Sequence, residues 1–335
     1  MLNDTEFAGF HDGIFKAYFA EYIEFKRGKG EKVAHSTLIR LKTLNNDLNR
    51  QCSSLEINSD VAEAVLREKE GESPATRALR VSDLRQFSSF LNGHGIRSFQ
   101  IPIKYTKKIT TPFRPYIFSE PELCAVTNAA DKYENKSRRK NRNEIYPVII
   151  RILIGTGMRI GEVISLRVQD VDLQSKSFTV HHAKNNVSRY VPMSASLVFI
   201  ALVFIVEQYL ADISHYNQPG QPLFISPYTG DAYSYSAMKY MFKKLYALAG
   251  VRTPQGKLPR IHDIRHTFCT MSLNKMLASG MSLYVAVPLL SAYVGHVNLC
   301  DTERYIHFTV QGYDDFIEKQ RGLQSLIPEV VNDEI

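Results

Sequence analysis

The stretch PVIIRILIGTGMRIGEVISL, residues 147–166, decides how the chain is read. Its first half is almost wholly apolar and predicts a buried helix over Tyr146 to Gly155. Gly155 and Gly157 suit a sharp turn between helices, since glycine enters backbone conformations closed to other residues. That turn places Arg159 at the start of the next helix, with Glu162 one turn on. There the guanidinium and the helix N-terminus can both face an anion, with Glu162 holding the guanidinium in place. Taken alone, the two residues read better as a structural Arg–Glu pair at i, i+3.

Upstream, residues 10 to 95 carry a helical pattern. Ile14, Phe15, Tyr18, Phe19, Tyr22, Ile23 and Phe25 recur at helical spacing until Arg27-Gly28-Lys29-Gly30 breaks the run. A second helix is predicted from about Ser36, striped by Leu38, Leu41, Leu44 and Leu48. A third is predicted over Ser59 to Lys69. A fourth begins at Ser73-Pro74, a Ser N-cap before a first-position Pro, and ends near Gly93 or Gly95. This is the pattern of a small all-α domain, residues 1–96. Residues 97–114 differ: Arg97, Lys104, Lys107, Lys108 and Arg114 occur with no acid and two prolines. They read as a basic linker between domains, either a solvated loop or a strap across a phosphate backbone.

Downstream, Ser119 is placed to cap a helix through Glu122. The basic run KSRRKNR, residues 136–142, which contains Arg138 and Arg139, reads as a loop that can also meet DNA. Asp172–Leu173, Ser177–His182 and Arg189–Val191 show period-2 alternation around a turn at Lys184-Asn185-Asn186, as in a β-hairpin. From Ala195 to Gln324 the pattern is again mainly helical. The expected fold is mainly α with a small β-sheet.

Composition narrows the function. A net charge of +7 suits a polyanionic partner without requiring one. Cys52, Cys124, Cys269 and Cys300 are scattered singletons, which fits reduced thiols in the cytoplasm better than a disulfide framework. The N-terminus lacks the basic and apolar regions of a signal peptide. The longest apolar run, Leu197 to Val206, is about half of a membrane span. A soluble intracellular protein is expected.

Three further polar patches interrupt the apolar helices. In His262-Asp263-Ile264-Arg265-His266, the i, i+3 spacing puts His262 and Arg265 on one helix face, a natural phosphate clamp. The His262 to His266 spacing also resembles a zinc-protease helix. That chemistry needs Glu where Asp263 stands, and a third ligand, so no metal is expected. Gly295-His296 is followed by Tyr305 nine residues later. A tyrosine among apolar neighbours is ordinarily a core residue, and a lysine at a hairpin tip such as Lys184 is ordinarily solvated.

Together these residues resemble the tyrosine recombinase, or phage integrase, family. TGMRIGE is similar to its first Arg motif, HDIRHTF to its His-x-x-Arg motif, and VGH with Tyr305 to its second His and nucleophile. AKNNVSRYVPM is similar to its hairpin Lys segment, with Arg189 and Pro192 in register. The motifs span about Pro115 to Gly322; the helical pattern of residues 10–95 resembles the family's four-helix core-binding domain more weakly. The resemblance implies a catalytic α+β domain over 115–324; the composition of EVVNDEI beyond Pro328 makes 325–335 an acidic tail. It implies Tyr305 as nucleophile, served by Arg159, Lys184, His262, Arg265 and His296 and supported by Glu162, with neither metal nor ATP. The implied partners are double-stranded DNA bearing specific sites and further copies of the chain, a tetramer on DNA, with related recombinases as possible company. Origin in a prokaryote, phage or mobile element, and work at the nucleoid, follow from the same resemblance. The chain departs from simple members in being several residues longer between Arg265 and His296, and PLLSAYVGH is similar to a transposon-encoded branch. Two rival readings are a type IB topoisomerase and a DNA-binding accessory that has lost catalysis. Completeness of the six catalytic positions argues against the second.

Overall fold

The computed structural model describes residues 10, 12–31, 33–105, 115–133, 145–181, 188–212, 216–226 and 229–295. The chain divides into two compact units, Met1–Phe113 and Arg114–Ile335.

In the first unit, helices α1 (Lys16–Gly28), α2 (His35–Gln51), α3 (Ser59–Leu66) and α4 (Pro74–Gly93) follow the expected order. Their apolar stripes meet in a core of Phe15, Phe19, Ile23, Leu41, Leu44, Leu48, Leu84 and Phe87. The Phe19 and Phe87 rings stack at 3.9 Å across α1 and α4. Ser73 caps α4 as its sequence indicates, its hydroxyl accepting from the Thr76 N–H at 3.1 Å. Helix α3 stops at Leu66, short of the expected Lys69. The buried Arg80 guanidinium explains the stop, because it donates to the Val65 and Arg67 carbonyls and so takes over bonds that a longer helix would make.

Residues 97–105 do not behave as a free linker. Ile57 and Ser98 form a parallel bridge, and the Phe99 N–H donates to the Ile57 carbonyl at 2.7 Å. Ile101 is buried in the core of this unit, and Arg85 donates to the Ile101 and Pro102 carbonyls at 2.8 and 3.0 Å. Backbone that pairs and buries an isoleucine belongs to the domain it pairs with.

The second unit contains α5 (Glu120–Asp131), α6 (Ile145–Thr156), α7 (Ile160–Ile164), a three-stranded antiparallel sheet, α8 (Ala195–Ala211), α9 (Tyr235–Leu248), α10 (Ile261–Ala278) and α11 (Leu283–Val294). The fold is therefore mainly α with a small sheet. The strands are β1 (Val171–Asp172), β2 (Ser177–Val180) and β3 (Arg189–Pro192), with Phe178 opposite Val191 and Val180 opposite Arg189. Phe178, Val180 and Val191 point inward while Tyr190 is exposed, the alternation that a half-buried hairpin requires.

Helix α6 is the spine of this unit and packs against α5, α8 and α10. Its one charge, Arg151, reaches out to grip both carboxylate oxygens of Asp131 on α5 at 2.7 Å. Ile149, Ile150, Val163, Phe178, Phe224, Phe242 and Leu245 fill the core beside it. A smaller cluster of Cys269, Leu273, Ala286, Leu290 and Val294 joins α10 to α11. Among the described residues no helix is long and apolar enough to cross a membrane.

Candidate active site

The turn after α6 is made by Gly157 alone. Its φ of +62° is left-handed, and a Cβ there would lie 2.2 Å from the Phe268 ring of α10. Gly155, expected to share the turn, remains inside α6. The turn delivers Arg159 to the N-cap position of α7. The Arg159 N–H donates to Glu162 Oε2 at 2.9 Å, and its guanidinium Nη1 donates to Oε1 at 2.9 Å. Glu162 thus caps the helix and steers the arginine at once.

Glu162 also holds a second guanidinium. Arg189, on β3, donates from Nη2 to Oε2 at 2.8 Å and from Nη1 to Oε1 at 3.2 Å. Burial alone would raise the Glu162 carboxyl, but Arg189 and then Arg159 outweigh it and pull the pKa down to about 2. Arg189 continues to α11, donating from Nε to the Tyr293 carbonyl at 3.1 Å.

Arg265, on α10, is 2% exposed. Its Nη1 donates to the Gly157 carbonyl at 3.0 Å and its Nη2 to the Val294 carbonyl at 2.7 Å. The clamp expected from HDIRH is therefore anchored inside the protein, spanning the α6–α7 turn and the last turn of α11. The carbonyls at a helix C-terminus lack intrahelical donors, and a cation is the natural partner for them.

His262 lies one turn before Arg265 and is pulled down to about 4, first by burial and then by the charges of Arg265, Arg159 and Arg260. It is a neutral imidazole at pH 7. His266 meets it edge to face at 4.8 Å and is pulled down to about 3, first by burial and then by His262. Asp263 serves the helix: its carboxylate accepts from the Arg260 N–H at 2.8 Å and from the Arg260 guanidinium at 2.7 Å. No group of three or more His, Cys, Asp or Glu placed to hold a metal occurs among the described residues.

The structure thus brings Arg159, Glu162, His262 and Arg265 together around the Gly157 turn. Lys184, His296 and Tyr305 lie outside the described residues, as do Lys107, Lys108, Arg114, Arg138 and Arg139 and the side chain of Lys104. Arg189 enters the cluster although sequence reading gave it no role beyond register. A buried acid flanked by one arginine at i−3 can take a second, but nothing local marks which of the distant arginines supplies it.

The Phage integrase family matches residues 119–311, more than half of the chain. The chain belongs to this family, the tyrosine recombinases. It is 27% identical over 307 residues to a putative integrase/recombinase, y4rB, of Sinorhizobium fredii, covering 87% of this chain and 92% of that protein. It is also 27% identical over 235 residues to tyrosine recombinase XerC of Staphylococcus aureus, covering 69% and 70%. Among solved structures, a lambda integrase dimer bound to a COC′ core site shares its fold with a TM-score of 0.61 at 15% identity, covering 86% of this chain and 94% of that one. XerH recombinase bound to difH in a post-cleavage complex gives 0.61 at 19% identity, covering 83% and 77%.

Proposed function

We propose that this chain cuts and rejoins DNA at specific sites through a 3′-phosphotyrosine intermediate on Tyr305, using no metal and no ATP. The observation that carries the reading is the convergence of Arg159, Arg265 and a neutral His262 on one turn, within a family match that runs past Tyr305. Attack on a phosphodiester adds negative charge to its non-bridging oxygens. Two fixed guanidiniums answer that charge with directed N–H donors and need no deprotonation cycle.

The Tyr305 hydroxyl attacks phosphorus, the new Oη–P bond forms, and the bond from phosphorus to the 5′ oxygen breaks. A phenol has an ordinary pKa of about 10, so its proton needs an acceptor. His262 is neutral and can accept it. A phosphate between Arg159 and Arg265 offsets two of the three arginine charges that depress His262, which raises its basicity once substrate is bound. The departing 5′ oxygen is a poor leaving group and takes a proton from the ammonium of Lys184, while His296 donates a hydrogen bond to the phosphate. The phosphotyrosine conserves the ester, so a second 5′ hydroxyl can reverse the step onto another strand.

The first unit acts as the core-binding domain, and Lys104, Lys107, Lys108, Arg114, Arg138 and Arg139 add contacts to the phosphate backbone. The lambda integrase dimer and the XerH complex support DNA as partner and assembly of several copies on it, a tetramer in the complete reaction. The chain's place of work is the nucleoid. The test is covalent capture from a pool of nicked duplexes of randomised sequence. The wild-type chain retains DNA after denaturation and Tyr305→Phe retains none; an equal adduct on the phenylalanine variant overturns the proposal. Relaxation of supercoils without sequence preference points instead to a topoisomerase.

A further inference from the structure

Two arginines share the buried carboxylate of Glu162, and they differ in where they stand. Arg189 binds it through both oxygens and its side chain is 10% exposed. Arg159 binds it through one guanidinium nitrogen and its side chain is 23% exposed. One guanidinium is thus sealed against the acid, and the other opens outward. We propose that Arg189 is a positioning residue whose charge neutralises Glu162 and so leaves the Arg159 guanidinium available to a DNA phosphate; the inference rests on the phosphoryl-transfer reading above.

The charge balance of the cluster carries the argument. Glu162 and Asp263 are its buried acids, the first paired with two arginines and the second with one. Asp263 is matched by Arg260, with Nη2 and Oδ1 at 2.7 Å. If Glu162 is likewise matched by Arg189, the charge of Arg159 is left to face outward from the turn. Removing Arg189 changes this balance. A carboxylate 8% exposed cannot stand without a cation, since the cost of an unpaired buried charge is high. Arg159, already in contact, is the nearest replacement, and full pairing would draw its guanidinium inward and cancel its charge. Glu162 therefore helps catalysis only while Arg189 is present.

Arg189 has a second contact that makes its placement specific. Its Nε holds the Tyr293 carbonyl at 3.1 Å, in the last turn of α11. Gly295 follows with φ +68°, and a Cβ there would lie 3.2 Å from Arg189 Nη1. One rigid guanidinium thereby sets the spacing between the Arg159 cap and the point where α11 ends. Lysine, with a single ammonium, cannot span both partners in that geometry.

The experiment uses the full chain and nicked duplexes that the wild type has captured covalently from a randomised pool. The readouts are the single-turnover rate of adduct formation at saturating DNA and the equilibrium affinity for the same duplex. R189M slows adduct formation by about 100-fold with affinity unchanged, because the guanidinium of Arg159 is displaced rather than lost. The double variant R189M/E162Q recovers at least ~10-fold of that loss, since removing the carboxylate charge removes the need for its counter-ion. Rates are compared per folded molecule, with the folded fraction of each variant read from urea midpoints, because E162Q also relieves the stability cost of an unpaired carboxylate; a purely scaffolding arginine shows no loss of rate once so normalised. R189K, which keeps the charge, lies between R189M and the wild type and carries the test together with the double variant if R189M does not fold. An R189M chain as fast as the wild type, or a double variant as slow as R189M, overturns the inference; so does R189K no faster than R159A. A wild-type chain that captures no duplex sinks the phosphoryl-transfer reading, and this inference with it.

Discussion

Arg265 donates to the Val294 carbonyl at 2.7 Å, and this bond ties the middle of the α10 motif to the last residue of α11. With its companion bond to the Gly157 carbonyl at 3.0 Å, it makes a buried arginine the joint between three sequence motifs.

The two arginines of the site therefore separate in their effects. Arg265→Ala leaves two buried carbonyls without their donor and opens a cavity, at a cost of about 2–5 kcal/mol in unfolding free energy. Arg159→Ala, at the partly exposed N-cap, costs about 1 kcal/mol or less while slowing DNA cleavage by about 100-fold or more at unchanged DNA affinity. Urea denaturation of both variants beside adduct rates checks the split. Equal stability losses would contradict the buried joint.

Gly157→Ala is expected to be severe. A left-handed φ of +62° disfavours any side chain, and the new methyl would meet the Phe268 ring at 2.2 Å. Strain and overpacking together cost about 2–5 kcal/mol. Gly155→Ala meets nothing nearer than Leu197 at 3.5 Å and should be neutral or slightly stabilising, as the helix interior favours alanine. Thermal melts of the pair decide it; similar shifts would mean the turn is not where the strain lies.

The histidines make the fold acid-sensitive. His262 titrates at about 4 and His266 at about 3 in the folded chain, against an ordinary value of 6.5. Between these values the unfolded chain binds more protons, so stability is complete above about pH 6.5 and declines as pH falls toward 4. The loss at pH 5 is on the order of 2 kcal/mol per histidine. Urea midpoints at pH 7.5 and pH 5 measure it, and His262→Asn and His266→Asn should each shrink the difference. An unchanged difference in both variants would remove the histidines as its cause.

Substrate binding should lessen the depression at His262, removing the part due to Arg159 and Arg265 and leaving the larger part due to burial. A phosphodiester beside these arginines contributes negative charge that offsets theirs, so the imidazole titrates at higher pH in the DNA complex. Ring resonances of labelled His262, followed by NMR with and without captured duplex, report the shift. A value that stays put or falls would argue against His262 facing the phosphate.

Local signals account for the secondary structure well. Ser73-Pro74 and Ser119 with Glu122 announce helix starts by chemistry complete within one turn, and both caps form where expected. The end of α3 was not legible. It depends on Arg80, which arrives from the next helix to take the Val65 and Arg67 carbonyls. Residues 97–105 misled for a similar reason: their basic, proline-containing composition looks like linker, and only the bridge to Ile57 and the burial of Ile101 make them part of a core.

In the candidate site, Arg159 and Glu162 were readable together because i, i+3 spacing on a helix makes them neighbours. The link between Glu162 and Arg189 was not, since it joins a helix to a strand across 27 positions.

Sequence alone settled the residue types, their order and the family they belong to, because helical periodicity, caps and motif spacing are written in near neighbours. The folded chain decided which cation each acid holds and which arginine is buried. Those are matters of distance, and burial strengthens every charge that distance brings together. Arg265 shows the difference: its motif announced a phosphate clamp, and the fold made it first of all the joint between the Gly157 turn and the end of α11.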